Sequence, residues 1–161
     1  EELKMAESEA SAEEFINIVV GDRYKLLRRI GQGSFGDVFE GVDVISGNRV
    51  AVKLEETSKR QPLLFYEAQI SRALQSSQQL YVPKLYHLGQ EGDYNVLVQQ
   101  LLGPSLGELI KLSSARSFSM WTTLTLGIEI FKLLKFVHDR KYLHRDIKPD
   151  NFCMGQDEFS Q

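Results

Sequence analysis

Residues 30–41 read Ile30-Gly31-Gln32-Gly33-Ser34-Phe35-Gly36-Asp37-Val38-Phe39-Glu40-Gly41. Glycines at this spacing let a backbone turn tightly and come close to a ligand. The residues after the last of these glycines constrain the fold most. Residues 37–41 alternate in the manner of a strand. The preceding segment, Tyr24–Ile30, also has strand character. The glycines therefore belong to a strand–turn–strand hairpin. A dinucleotide site uses the same spacing but continues directly into a helix, so the strand after Gly36 argues against one. Backbone N–H groups in such a loop suit phosphate. On this motif alone, a glycine-rich hairpin without a ligand is an equal alternative.

The pattern around the hairpin predicts an α+β chain. Val44–Ile45 lead into a turn at Ser46-Gly47-Asn48, and Val50–Leu54 makes a third strand. After Pro62 the period changes. Leu63, Glu67, Ile70 and Leu74 recur at helical spacing, and proline suits a helix start. Two further strands are expected near Lys84–Leu88 and Tyr94–Gln99, giving five antiparallel strands with one helix. Gly103-Pro104 breaks the chain, and Ser105 can cap a short helix through Lys111. Ser119–Arg140 predicts a long amphipathic helix with Leu124, Ile128, Phe131, Leu134 and Val137 on one face. Tyr142–Met154, which contains Pro149, is expected as a loop with apolar anchors.

Charge and cysteine content narrow the setting. Nineteen basic and 22 acidic residues give a net charge of −3, and no basic face points to nucleic acid. Six of the glutamates lie in residues 1–14, so residues 1–20 are expected to be an acidic, solvated tail or helix. A single cysteine, Cys153, cannot form an internal disulfide. Its apolar surroundings predict a buried thiol. No apolar run reaches the roughly 18 residues needed for a membrane span. A monomeric protein of the cytoplasm, the nucleus or both is expected.

Three further features carry chemistry. Val50-Ala51-Val52-Lys53 ends the third strand in a lysine. Its bland reading is a snorkelling surface lysine; its functional reading is a cation for nucleotide phosphates. Glu67, on the following helix, lies near the inward face and can pair with Lys53. The most specific feature is His144-Arg145-Asp146-Ile147-Lys148-Pro149-Asp150-Asn151. Phosphoryl transfer asks for a carboxylate to take a hydroxyl proton, a cation near the moving phosphoryl group and an oxygen ligand for a metal. Asp146, Lys148 and Asn151 supply those three types within one loop.

Together and in this order, these motifs resemble the protein kinase superfamily, and within it the casein kinase 1 family. The closer similarity rests on Ile30–Asp37, Leu63–Glu67, Glu91–Val96, Leu101–Leu106 and Lys148–Phe152 with Met154-Gly155. Phe118–Gly127 is also similar to the tau-tubulin kinase branch. The resemblance implies a small lobe over 21–100 and a hinge with the first helices and catalytic loop of an incomplete helical lobe over 101–161. It implies ATP and Mg2+ as cofactors and protein Ser/Thr as substrate, lysine at 148 resembling the serine/threonine class.

The family's roles carry over position by position. Lys53 would hold the α- and β-phosphates and pair with Glu67. Ile30, Gly31, Gly33, Ser34 and Gly36 would cover the nucleotide, with Val38 and Ala51 beside it. Leu101 and Leu102 would meet the adenine edge, and Gln99 would guard the back of that pocket. Asp146 would be the catalytic base, Lys148 would stabilise the transferred group and Asn151 would hold a metal ion. His144 would be structural. Gln99 and Gln100 are polar where the family places an apolar residue and an acid. No Asp-Phe-Gly occurs after Asn151 within the 161 residues. Both ends read as cut, so weak or no activity is expected of this chain alone. The alternative is a truncated nucleotide- or partner-binding module without catalysis.

Overall fold

The computed structural model describes residues 15–33, 36–75 and 81–156. The acidic stretch 1–14 and Ser34 lie outside the described residues. The strands are β1 (Val19–Val20), β2 (Tyr24–Gly33), β3 (Gly36–Asp43), β4 (Arg49–Glu56), β5 (Leu85–Glu91) and β6 (Tyr94–Gln100). The helices are α1 (Leu64–Leu74), α2 (Leu106–Leu112) and α3 (Met120–Asp139), with a 3-10 turn at Pro149–Asn151. Two compact units result, one up to Leu101 and one from Leu102.

The first unit is a six-stranded antiparallel sheet ordered β1-β2-β3-β4-β6-β5. Five strands were expected; the sixth is β1. Val19 pairs with Lys25 and Val20 with Tyr24. Gly21 and Asp22, both at positive φ, reverse the chain between them. A two-residue strand is too short to show a period. Residues 15–20 are accordingly part of this unit rather than of a tail. The Phe15 ring packs 5.8 Å from Phe39 and 5.1 Å from Tyr94.

Alternation along the strands gives the sheet two apolar faces. Leu26, Phe39, Val50, Val52, Leu54, Val96 and Val98 form the core on one face. On the other, Leu97 is fully buried beneath Leu64 and Ala68 of α1, with Leu85 and Leu88 packed alongside. The inward stripe of α1 therefore runs through Leu64 and Ala68. Leu63, expected to face inward, is 40% exposed.

In the second unit, Ser105 and Glu108 form a reciprocal capping box at the start of α2. Ser119 caps α3 by accepting from the Thr122 N–H. Only Phe136 and Val137 of α3 are buried. Leu124, Ile128 and Phe131, on its expected apolar face, are exposed. The loop after α3 is tied to the chain before α2. Gly103 N donates to Met154 O (2.9 Å), Met154 N to Pro104 O (3.0 Å) and Leu106 N to Phe152 O (2.8 Å). Ser105 pairs with Cys153 in this short ladder. Its alternation turns Phe152 inward and leaves the Cys153 thiol exposed, correcting the expectation of a buried one. Among the described residues, no helix is long and apolar enough to cross a membrane.

Candidate active site

In the first unit the candidate residues gather by register. Residues directly opposite in an antiparallel pair share a face, as do alternate residues along a strand. Gly31 pairs with Val38, Val38 with Lys53 and Lys53 with Leu97. Ala51, two residues before Lys53, pairs with Gln99. Gly31, Val38, Ala51, Lys53 and Gln99 thus share the face on which α1 packs. Glu67 precedes Ala68 and sits at the edge of the buried stripe. Its carboxylate Oε1 accepts a hydrogen bond from the Lys53 ammonium. The side chains are 26% and 38% exposed. A pair that wet contributes about 0–1 kcal/mol to stability. Its consequence is orientation: the ammonium is held over the sheet face rather than left to swing on its stem.

The hairpin between β2 and β3 closes with Gln32 opposite Asp37 and Gly33 opposite Gly36. Gly36 has φ +132°, and a Cβ there would run into the Leu54 carbonyl oxygen of β4. Glycine is required at that position by both torsion and space. Ile30 is exposed on β2. Leu101 and Leu102 come directly after β6 and are half-buried.

In the second unit, residues 144–151 form a self-bonded loop. Asn151 donates from its amide to the Asp146 backbone oxygen (2.9 Å) and to Asp146 Oδ2 (2.8 Å). Lys148 Nζ lies 2.9 Å from the same Oδ2. The Lys148 ammonium, and next the Asn151 amide, hold the Asp146 carboxyl below the ordinary carboxylate range. The His144 ring stacks on buried Phe152 at 5.6 Å, and its Nδ1 accepts from the Asp146 N–H (3.3 Å). Arg145, at φ +60°, makes the bend that brings these groups together. His144 therefore anchors the loop to the ladder at Phe152, while Asp146, Lys148 and Asn151 form an exposed polar cluster.

The family model of the protein kinase domain matches residues 24–159. This chain belongs to the protein kinase domain family. Protein kinases are phosphotransferases that use MgATP, and both clusters carry groups of the required kind. In this kinase domain the Lys53–Glu67 pair offers a cation to phosphate. Asn151 uses its amide nitrogen for the two bonds to Asp146, and its amide oxygen is a group of the type that would serve as one ligand for Mg2+. Magnesium at nucleotide sites takes most of its remaining ligands from phosphate oxygens and water. Among the described residues, no group of three His, Cys, Asp or Glu side chains could hold a metal by itself.

Sequence reasoning missed one residue of the kinase domain. Glu55, in β4, is 1% exposed. Its carboxylate accepts from the Leu63 N–H (2.9 Å), the Leu64 N–H (3.3 Å) and the Asn95 amide (3.3 Å). A glutamate after Lys53-Leu54 reads as an outward side chain. The available signal was its place two residues after Lys53, hence on the same face.

Proposed function

We propose that this chain is the nucleotide-binding sheet and catalytic loop of a serine/threonine kinase of the casein kinase 1 type. The reaction transfers the ATP γ-phosphoryl group to a Ser or Thr hydroxyl of a protein. The observation that carries the reading is the pairing of Lys53 with Glu67 on the face that also bears Val38 and Ala51.

Each residue has a role in this reading. Lys53 binds the α- and β-phosphates, and Glu67 keeps its ammonium in place. Leu101 and Leu102 present backbone groups to the adenine edge, with Gln99 at the back of that pocket. Asp146, ionised at neutral pH, accepts the substrate hydroxyl proton at a carboxylate oxygen. Lys148 stabilises charge on the phosphoryl group, and Asn151 holds Mg2+ by its amide oxygen. A Mg2+ ion held there by Asn151 would supply charge neutralisation for the phosphate groups. Lys148 and the segments quoted for casein kinase 1 support the serine/threonine assignment by resemblance.

The test is phosphate transfer from labelled ATP to serine, threonine and tyrosine peptides. Transfer by this chain is expected to be weak, since no Asp-Phe-Gly follows Asn151 within it, and to go to serine and threonine only; Asp146→Asn lowers it by about 10²–10⁴-fold, the range of general-base contributions. Transfer to tyrosine removes the class assignment. Nucleotide binding without transfer keeps the binding half of the reading and removes the transferase half.

A further inference from the structure

Glu55 belongs to none of the roles above, yet it is among the most deeply buried charged side chains described. A buried carboxylate is costly unless its oxygens are hydrogen-bonded. Here three donors satisfy it, and two of them are backbone N–H groups at the entry to α1. The first N–H groups of a helix have no partner inside the helix. Leu63, the residue in the cap position, has no side-chain hydrogen-bonding group to offer them. Glu55 supplies that cap from a neighbouring strand. Its negative charge also lies at the positive end of the helix dipole.

The position of the cap matters. Glu55 and Lys53 are alternate residues of β4 on one face, while Leu63 and Glu67 are one helical turn apart. Glu67 N–H bonds back to the Leu63 carbonyl (2.9 Å). The same strand therefore grips α1 twice, through Glu55 at its first turn and through Lys53 at Glu67. Asn95 of β6, opposite Glu55 in register, fixes the carboxylate from the other side.

We propose that Glu55 is a positioning residue for the phosphate-binding lysine. By capping α1 from β4, it sets the height and rotation of the helix at which Glu67 meets Lys53. The proposal rests on the kinase reading for its functional meaning, but the positioning itself is a property of the nucleotide-free chain.

The experiment uses E55Q, E55L, E67Q and the E55L/E67Q double variant of this chain. Glutamine keeps the shape and can satisfy at most two of the three donors. Leucine satisfies none. In nucleotide-free protein, the 15N signal of the Lys53 ammonium is expected to be visible because its pairing slows proton exchange. It should be lost in E67Q, lost in E55L and weakened in E55Q. MgATP affinity should fall about tenfold in E55L, in line with loss of a charge-assisted contact. Once Glu67 is already gone, E55L should change it by less than about twofold. A residue that merely stabilised the fold would leave the Lys53 signal intact or give an additive loss in the double variant. Either result overturns the proposal. If E55L does not fold, E55Q and E55Q/E67Q carry the same comparison. If wild-type chain binds no MgATP, the kinase reading fails, and the ammonium signal alone decides the role of Glu55.

Discussion

At the residue scale, the chemistry depends on which groups are held and by what. Lys53 is held by Glu67, and Asp146 by Lys148 and Asn151. The second arrangement has a pH consequence. Donors that bond the ionised carboxyl favour that form, so the Asp146 value lies below the ordinary one near 3.9. Asp146 stays ionised down to that lower value, and loses its charge only as pH falls through it. Lys148→Ala removes the larger of the two causes. We expect the Asp146 titration, followed by its 13Cγ shift, to move upward toward 3.9 in that variant. An unmoved or lower midpoint would show that Lys148 does not act on Asp146. The residue types of this loop were readable beforehand because phosphoryl transfer demands them. Glu55 was not. Its place two residues after Lys53 gives its face but not its role; that is set by Leu63 and Leu64 arriving from eight and nine residues away.

At the element scale, period placed β2 to β6, α1 and α3, each long enough to show two or more repeats, and the Gly103-Pro104 breaker with the Ser105 cap placed the shorter α2. β1 escaped notice since two residues show none. Of the residues expected at helical spacing in α1, Leu74 is buried and Leu63 is not, for a related reason. Leu63 and Leu64 are both apolar, and only packing on Leu97 selects Leu64 as the inward one. The glycine hairpin makes a sharper case. Gly36 is fixed by its neighbour strand as much as by its own turn. Gly36→Ala forces a Cβ against the Leu54 carbonyl oxygen at φ +132°. Strain of that kind costs about 1–3 kcal/mol. Urea unfolding of the variant should show a loss in this range, with amide exchange rising along β3 and β4. Unchanged stability would mean that the strands part without cost and that glycine is dispensable there.

At the scale of the whole molecule, the two units differ in how well they bury their apolar residues. The sheet has a core on each face, α1 covering one of them. In the second unit, Trp121 is 80% exposed, Phe131 73% and Leu124 58%. Amphipathicity of α3 was legible in its period; the pattern says which face is apolar, not whether anything covers it. Large apolar side chains left exposed at helical spacing favour association. The 161-residue chain is expected to bind a hydrophobic dye and to associate as its concentration rises, and L124E/F131E should reduce both. Light scattering that shows a monomer at all concentrations, with no dye bound, would contradict this description of α3.

The central claim is that Lys53 on the sheet, held by Glu67 of α1, binds MgATP through its phosphates. It is tested most directly by titrating MgATP into this chain and into Lys53→Met by calorimetry. Saturable one-to-one binding is predicted, weakened about 10–100-fold by the substitution, as expected for loss of a hydrogen-bonded charge worth about 1.5–3 kcal/mol. Absence of saturable binding, or equal affinity in the two proteins, would contradict it.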